Sequence, residues 1–137
     1  MEKVFVDTNI VIDLLAKRIP FYEEAQNLFT LGDKKEIQLY ISSLTFANTY
    51  YSIAKHYKDV DARKYLSTFK VLVNVLPLED KSIELALASE FQDFEDGLQY
   101  FIAMADSSDV IITRNKKDFK ISKIPVMTAG EFLKKWN

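Results

Sequence analysis

The chain has 137 residues, a length typical of one domain, and its 48% hydrophobic and 28% charged content is that of a globular protein. It has no cysteine, which excludes disulfides and thiolate metal sites, and its net charge of −2 excludes a generally basic protein that coats nucleic acid. Because no signal peptide and no apolar run of about 20 residues is present, we expect a single cytoplasmic domain over residues 1–137 that does not enter a membrane.

The first predicted element is a short buried strand, residues 4–6, which is followed at once by Asp7, Thr8 and Asn9. All three polar residues are good helix caps, so one explanation is a helix that begins here and ends near Lys17. A second explanation is functional, because ligands bind at the carboxyl ends of the strands in an open α/β sheet. Other acids would have to meet Asp7 for the functional explanation to hold.

The rest of the chain alternates helices with apolar strands. Helices are predicted over about 20–31, 44–56, 60–71, 81–90, 94–106 and 129–135, with a stop at Gly32-Asp33 and N-caps at Asp80, Asp93 and Thr128. Strands are predicted over 36–42, 74–78, 109–113 and 124–128. Since no hairpin signal joins the strands, the pattern predicts an α/β fold with a central parallel β-sheet flanked by helices on both faces. Right-handed crossovers would place the C-terminal ends of all strands at one edge.

Three later segments carry polar side chains that such a sheet could bring to Asp7. They are Asp93, Glu95 and Asp96 in QDFEDGLQ, Thr113, Asn115 and Asp118 in TRNKKDF, and Ser43, Thr45 and Asn48 in SSLTFANTYYSIAK. Oxygen donors without histidine or cysteine suit Mg²⁺ or Mn²⁺. A metal ion in such a site can generate hydroxide near neutral pH and neutralise charge on a phosphoryl group, as phosphodiester hydrolysis requires.

The segments VFVDTNIVIDLL, ISSLTFAN, DFEDGLQ and DVIITRNKKDF, in this order and spacing, resemble a PIN domain over essentially the whole chain. The likeness is to the small single-domain prokaryotic PIN proteins, which include the VapC-type toxins of toxin–antitoxin pairs. It implies a three-layer sandwich, Mg²⁺- or Mn²⁺-dependent endoribonuclease activity on RNA, an antitoxin partner and a homodimer.

The resemblance also implies roles for individual residues. Asp7, Asp96 and Asp118 would bind the metal, and Asn115 would complete the catalytic group. The polar residues that support them would be Thr8, Asn9, Asn48 and Thr113. The basic residues that flank the acidic edge are predicted to bind RNA phosphates, with solvated loop side chains as the alternative: Arg114, Lys116 and Lys117.

Two positions depart from the family pattern. The family's usual second acid, a Glu on the helix after the second strand, falls on Asn48, and its usual fourth acid falls on Asn115. An amide adds no charge and is no strong base, so we expect weaker metal binding and one ion more readily than two. The departures leave a second function open, a catalytically weakened or inactive PIN-fold module that binds RNA or protein.

Several of the acids have a simpler explanation. Asp96 lies in the first turn of a helix capped by Asp93, where a carboxylate interacts favourably with the helix dipole. Glu95 is predicted to be a solvated surface residue, and Asp118 can serve to turn the chain before the last strand. A receiver-like signalling domain also has an acid at a strand tip, but it needs an acidic pair there, and Asp7 stands alone.

The helix over 44–56 is rich in aromatic residues, among them Tyr50 and Tyr51, with Tyr57 just beyond it. Aromatic side chains can stack on RNA bases. Their helical spacing favours packing in the core or at a dimer interface, so we expect a partner surface on this helix.

Overall fold

A computed structural model of the chain describes residues 1–136, so the last position of the predicted domain, residue 137, lies outside the described residues. Over residues 1–136, five strands form one sheet: β1 (Lys3–Val6), β2 (Gln38–Ser42), β3 (Asn74–Leu76), β4 (Val110–Ile112) and β5 (Val126–Met127). The strand order is β3-β2-β1-β4-β5, and every neighbouring pair is parallel. The predicted parallel sheet is confirmed.

Helices connect the strands. Across the described part of the chain they are α1 (Thr8–Leu15), α2 (Tyr22–Asp33), α3 (Ser43–Ile53), α4 (Asp59–Lys70), α5 (Asp80–Leu87), α6 (Phe94–Ala105), a short 3-10 helix (Lys116–Phe119) and α7 (Ala129–Trp136). In residues 1–136 none of these helices has both the length and the apolar character needed to cross a bilayer.

The side chains of β1 alternate between two hydrophobic cores. Val4 and Val6 pack with apolar residues of α1, α2, α4 and α7 on one face of the sheet. Phe5 packs on the other face with residues of α6, including Tyr100 and Ile102. Because β1 is covered on both faces, Val4, Phe5 and Val6 form an apolar run that is fully buried. The predicted sandwich of a sheet between two helical layers is confirmed.

Gly32 and Asp33 are the last two residues of α2, so the helix ends two residues later than the predicted end near Leu31. A Cβ at Gly32 would lie 2.2 Å from Leu39 Cδ1, so the glycine allows α2 to approach β2 closely. The chain leaves the helix only at Lys35, whose φ of 63° is left-handed.

The predicted N-caps have different outcomes. Asp93 accepts a hydrogen bond from the Asp96 backbone N–H at 3.1 Å, and Thr128 Oγ1 accepts one from the Glu131 N–H at 3.1 Å, so both caps are confirmed. Asp80 is the first residue of α5 rather than its cap, and its side chain makes no capping hydrogen bond. At that position a carboxylate acts through the helix dipole instead.

The strand order changes direction at the centre of the sheet. The neighbours β2 and β3 lie on one side of β1, and β4 and β5 lie on the other. The chain therefore leaves the C-terminal ends of β1 and β4 in opposite directions, which opens a crevice between these two ends. Open α/β sheets bind ligands in a crevice of this kind. Asp7 follows β1 and Thr113 follows β4, so both lie at this crevice.

Candidate active site

Asp7 caps α1 and is only 6% exposed. Its carboxylate accepts hydrogen bonds from the Thr8 backbone N–H and from Thr113 Oγ1, each at 2.8 Å. The pKa of Asp7 is raised to about 6: burial is the main cause, the two hydrogen bonds lower it, and the charges of Glu95 and Asp118 add to the rise. Both explanations of this residue therefore hold, since it is a helix cap and also a buried carboxylate beside other acids.

Asp96 lies in the first turn of α6 and is partly buried. Its pKa is raised to about 7 by burial first and then by the charges of four acids, in the order Asp7, Asp93, Asp118 and Glu95. The structure thus brings carboxylates from three separate segments within electrostatic reach of one another. Like charges held together in this way favour protonation or a cation.

A cavity of about 360 Å³ opens beside these acids, between the start of α6 and the 3-10 helix. Its lining residues are Glu90, Phe91, Gln92, Asp93, Asp96, Lys117, Asp118, Lys120 and Ile121. Asp7 is not among them, but its charge acts on Asp96 at the cavity wall. Asp96 and Asp118 therefore face a space that a substrate can enter.

The structure does not bring Asn115 to this cavity. Asn115 is exposed, and it lines a different cavity of about 250 Å³ together with Arg114 and Phe21. The 3-10 helix that follows turns the chain, so that Asp118 rather than Asn115 lies beside the acids. The Asn115 backbone N–H donates to Thr113 Oγ1 at 3.1 Å, next to the hydrogen bond from Thr113 to Asp7, and the predicted place of Asn115 in the catalytic group stays a prediction.

Arg114 is bound within the protein rather than positioned for a phosphate. Its Nε and Nη2 donate to the carboxylate of Asp13 at 2.8 and 3.1 Å, and its guanidinium lies 4.0 Å from the ring centroid of Phe21. Arg18 also approaches Asp13, at 3.4 Å. The sequence reasoning missed Asp13, although a carboxylate inside the apolar run NIVIDLL signals a buried charge that needs a partner.

The two predicted phosphate-binding lysines have different surroundings. Lys116 Nζ forms an ion pair with Glu131 at 2.9 Å, away from the cavity lining. Lys117 lines the cavity, as does Lys120, which the sequence reasoning had not singled out. Lys117 and Lys120 are thus the basic residues placed to meet a polyanion there.

A buried polar network lies below the acids. Thr8 Oγ1 and Thr45 Oγ1 are 2.8 Å apart, and Gln99 Nε2 donates to each of them at 3.0 Å. These three residues join α1, α3 and α6, so the predicted supporting role of Thr8 is one of tying helices together. Gln99 was missed, although a glutamine within the apolar stretch LQYFIA indicates a buried hydrogen-bonding role. Asn9 Nδ2 lies 3.4 Å from Thr113 Oγ1, the hydroxyl that donates a hydrogen bond to Asp7.

Asn48 and Glu95 form a contact between α3 and α6. Asn48 Nδ2 donates to Glu95 Oε1 at 2.9 Å. Glu95 is exposed, as predicted, but it is held at the site by this bond, and its charge raises the pKa of Asp7. The sequence placed Glu95 in a segment that could approach Asp7 but predicted only a solvated side chain for it.

The donor chemistry of the site fits a hard divalent cation. The acids offer carboxylate oxygens, and within residues 1–136 neither Asp7 nor Asp96 forms an ion pair. Among residues 1–136 no three acidic, histidine or cysteine side chains are arranged to bind one ion together. An ion would therefore take one or two carboxylates directly and reach others through water, a coordination that Mg²⁺ accepts readily.

The sequence model of the PIN domain family matches residues 3–117 of the chain. Ribonuclease VapC1 of Aquifex aeolicus (strain VF5) is 32% identical to it over 144 residues, which cover 99% of this chain and 96% of that protein.

Solved structures share the fold. The toxin–antitoxin complex from Klebsiella pneumoniae contains a chain with 27% identity and a TM-score of 0.65, covering 92% of this chain and 97% of that one. A chain of DNA-bound VapBC from Salmonella typhimurium gives a TM-score of 0.71 at 20% identity, covering 94% and 99%. A chain of VapBC2 from Rickettsia felis, bound to a DNA fragment from their promoter, gives 0.68 at 21%, covering 91% and 96%.

Proposed function

The chain belongs to the PIN domain family, and we propose that it is a Mg²⁺- or Mn²⁺-dependent endoribonuclease that hydrolyses RNA phosphodiesters. The observation that carries the proposal is the pair Asp7 and Asp96 at the crevice of a parallel sheet, two carboxylates with raised pKa values that form no ion pair within residues 1–136. A structural carboxylate is ordinarily compensated within the protein, whereas a metal ligand is left for the ion. The similarity to a ribonuclease supports RNA as the substrate.

Each residue of the site would have a defined task. Asp7 and Asp96 would hold the ion directly, and Asp118 would bind it through water. When bound, the ion would act as a Lewis acid that activates water and neutralises charge on the phosphoryl group. Thr113 fixes one oxygen of Asp7 by its hydrogen bond, and the Thr8 N–H fixes the other. These bonds orient the carboxylate before the ion arrives.

The RNA would enter through the cavity beside α6. Lys117 and Lys120 line this cavity and would bind backbone phosphates by charge, with release of counterions. Arg114 and Lys116 would take no part in substrate binding, because each forms an ion pair with a carboxylate of the same chain.

We also infer that the protein is the toxin of a toxin–antitoxin pair that acts on cytoplasmic RNA as a homodimer. Support comes from the VapBC and toxin–antitoxin complexes that share its fold. Exposed apolar side chains on α3 and α4 offer a surface for an antitoxin or a second copy, in agreement with the partner surface expected on the aromatic helix: Tyr51, Val60 and Tyr65.

The test is cleavage of a panel of structured RNAs with Mg²⁺, with Mn²⁺ and with EDTA, beside the Asp7→Asn protein. We expect cleavage with either metal, and none with EDTA or in the variant. Binding of RNA without cleavage under any of these conditions would favour the alternative function, a PIN-fold binding module. The observation on the side of that alternative is the replacement of two family acids by Asn48 and Asn115.

A further inference from the structure

The α3 side of the acidic site has no acid of its own. The α3 residues nearest the network beneath Asp7 are neutral, because Thr45 bonds Thr8 and Gln99, and Asn48 carries an amide. In the family pattern a Glu stands at the position of Asn48. A site built only from Asp7, Asp96 and Asp118 would thus lack a negative charge on this side.

Glu95 brings a carboxylate to that side from α6. Its Oε1 accepts the hydrogen bond from Asn48 Nδ2 at 2.9 Å, so the end of its side chain lies against α3. Within residues 1–136 its second oxygen, Oε2, accepts no hydrogen bond and remains available. The neighbouring Asp93 is not equivalent, because it is used as the cap of α6.

We propose that Glu95, held in place by Asn48, supplies the carboxylate that the α3 side of the metal site lacks. The two residues together replace one family acid: the amide is on α3, the charge is on α6, and their hydrogen bond puts the charge where a Glu on α3 would reach. This inference rests on the proposed metal-dependent function. It changes the meaning of Asn48, which is then the residue that holds a displaced ligand rather than a sign of a decayed site.

The amide of Asn48 is suited to this task. Its NH₂ donates to a carboxylate, which can only accept, so the pair has a single favourable orientation. A hydrogen bond to an ionised acceptor is stronger than one between neutral groups. Asn48 therefore restricts a long and flexible glutamate, and a fixed carboxylate costs less entropy to order around an ion.

The experiment measures Mn²⁺ affinity directly, by the electron paramagnetic resonance signal of the free ion, without any substrate. The proteins are the wild type, Glu95→Gln and Asp7→Asn. The matched control is Glu84→Gln, which makes the same change of charge at an exposed residue of α5 outside the cavity. We expect Glu95→Gln to weaken Mn²⁺ binding by about tenfold or more, and Glu84→Gln to leave it unchanged.

A second variant tests the exchange between the helices. In Asn48→Glu/Glu95→Gln the amide and the carboxylate trade places, so that an amide on α6 can donate to a carboxylate on α3. We expect this double variant to regain Mn²⁺ affinity close to that of the wild type. Its circular dichroism spectrum should match the wild type, because net charge and the hydrogen bond are both kept.

The outcomes separate this inference from the function on which it rests. If Asp7→Asn abolishes Mn²⁺ binding but Glu95→Gln binds as the wild type does, the metal site stands and the role of Glu95 is wrong. If Glu95→Gln and Glu84→Gln weaken Mn²⁺ binding equally, the effect comes from the lower net negative charge of the protein, and the inference is again wrong. If the wild type binds no Mn²⁺, the proposed function and the inference fall together.

Discussion

Asp7 and Asp13 are both buried carboxylates on α1, one at its cap and one further along, yet their surroundings are opposite. Asp13 lies between two guanidinium groups, 2.8 Å from Arg114 and 3.4 Å from Arg18. Among the described residues 1–136, Asp7 accepts hydrogen bonds only from a backbone N–H and a hydroxyl, and the charges that raise its pKa are those of Glu95 and Asp118.

The difference separates a structural charge, Asp13, from Asp7, which we propose is functional. A buried carboxylate with an internal counterion is satisfied by the fold and has no need of a ligand. A buried carboxylate without one reduces the stability of the folded protein and is available to a cation from solution. In this PIN domain the two kinds lie on one helix, and their partners rather than their burial tell them apart.

The ion pair of Asp13 with Arg114 also helps to position Asp7. Arg114 directly follows Thr113, whose hydroxyl donates to Asp7, and precedes the 3-10 helix that carries Asp118. By binding Asp13 with two nitrogens and stacking on an aromatic ring, Arg114 fixes the loop after β4. The structural ion pair therefore positions residues on both sides of the proposed metal site.

The largest effect expected from this comparison is that of Asp13→Asn. It leaves Arg114 without its counterion, and we expect the free energy of unfolding to fall by about 3 kcal/mol. Urea unfolding followed by circular dichroism measures the change. Arg18→Gln is the control, because that side chain is 42% exposed and its removal should cost less than about 1 kcal/mol. Equal effects of the two substitutions would mean that Asp13 is not the structural charge described here.

The next effect is stabilisation by metal. Mn²⁺ at about 100 times its dissociation constant should raise the free energy of unfolding by about 2.7 kcal/mol, because it binds only the folded protein. Asp7→Asn and Asp96→Asn should both reduce this gain in stability. Asp13→Asn should leave the gain unchanged, because Asp13 does not bind the metal. The measurement is the melting temperature with and without Mn²⁺. An equal gain in wild type and Asp96→Asn would leave Asp96 with only its helix-dipole role.

Asp7→Asn should stabilise the protein in the absence of metal. The folded-state pKa of Asp7, about 6, lies above the ordinary value of 3.8, so folding favours the protonated acid. Stability from this group is therefore full below about pH 4 and is lost as pH rises toward 6. An uncharged Asn avoids the loss, and we expect a gain of about 2 kcal/mol at pH 8 and almost none at pH 4.

Urea unfolding at the two pH values measures this gain. Asp96→Asn should act in the same direction over a window that extends to about pH 7, with a smaller effect because Asp96 is only partly buried. Lower stability of Asp7→Asn at pH 8 would show that the capping role of Asp7 outweighs its unpaired charge.

Local patterns in the sequence were enough for the fold and for the main acids. Apolar strands without hairpin signals predicted the parallel sheet, because only crossover helices can join parallel strands. The same topology predicted that Asp7 and Asp96 approach each other, since one follows β1 and the other begins α6. Both inferences depend on elements whose type is determined by neighbouring residues.

The partners of individual charges could not be predicted in this way. Arg114 and Asp13 are 101 residues apart in the chain, and Asn48 and Glu95 are 47 apart. Which groups pair over such distances depends on how helices pack, and no local signal records it. The sequence therefore offered RNA phosphate or solvent for Arg114, a solvated surface for Glu95 and a supporting polar role for Asn48, but it indicated neither the Arg114–Asp13 pair nor the Asn48–Glu95 pair.

The smallest effect applies the same comparison to two adjacent lysines. Lys116 is paired with Glu131, whereas Lys117 lines the acidic cavity and forms no ion pair within residues 1–136. If charges with internal partners are structural and those without are functional, only Lys117 should contact RNA. We expect Lys117→Gln to reduce the slope of log affinity against log salt by about 0.7, the value for one phosphate contact on a single strand, and Lys116→Gln to leave the slope unchanged. Filter binding in the Asp7→Asn background, at several salt concentrations, measures affinity without cleavage. An equal change of slope in both variants would mean that RNA opens the Lys116–Glu131 pair, and that internal pairing does not separate the two kinds of charge on this surface.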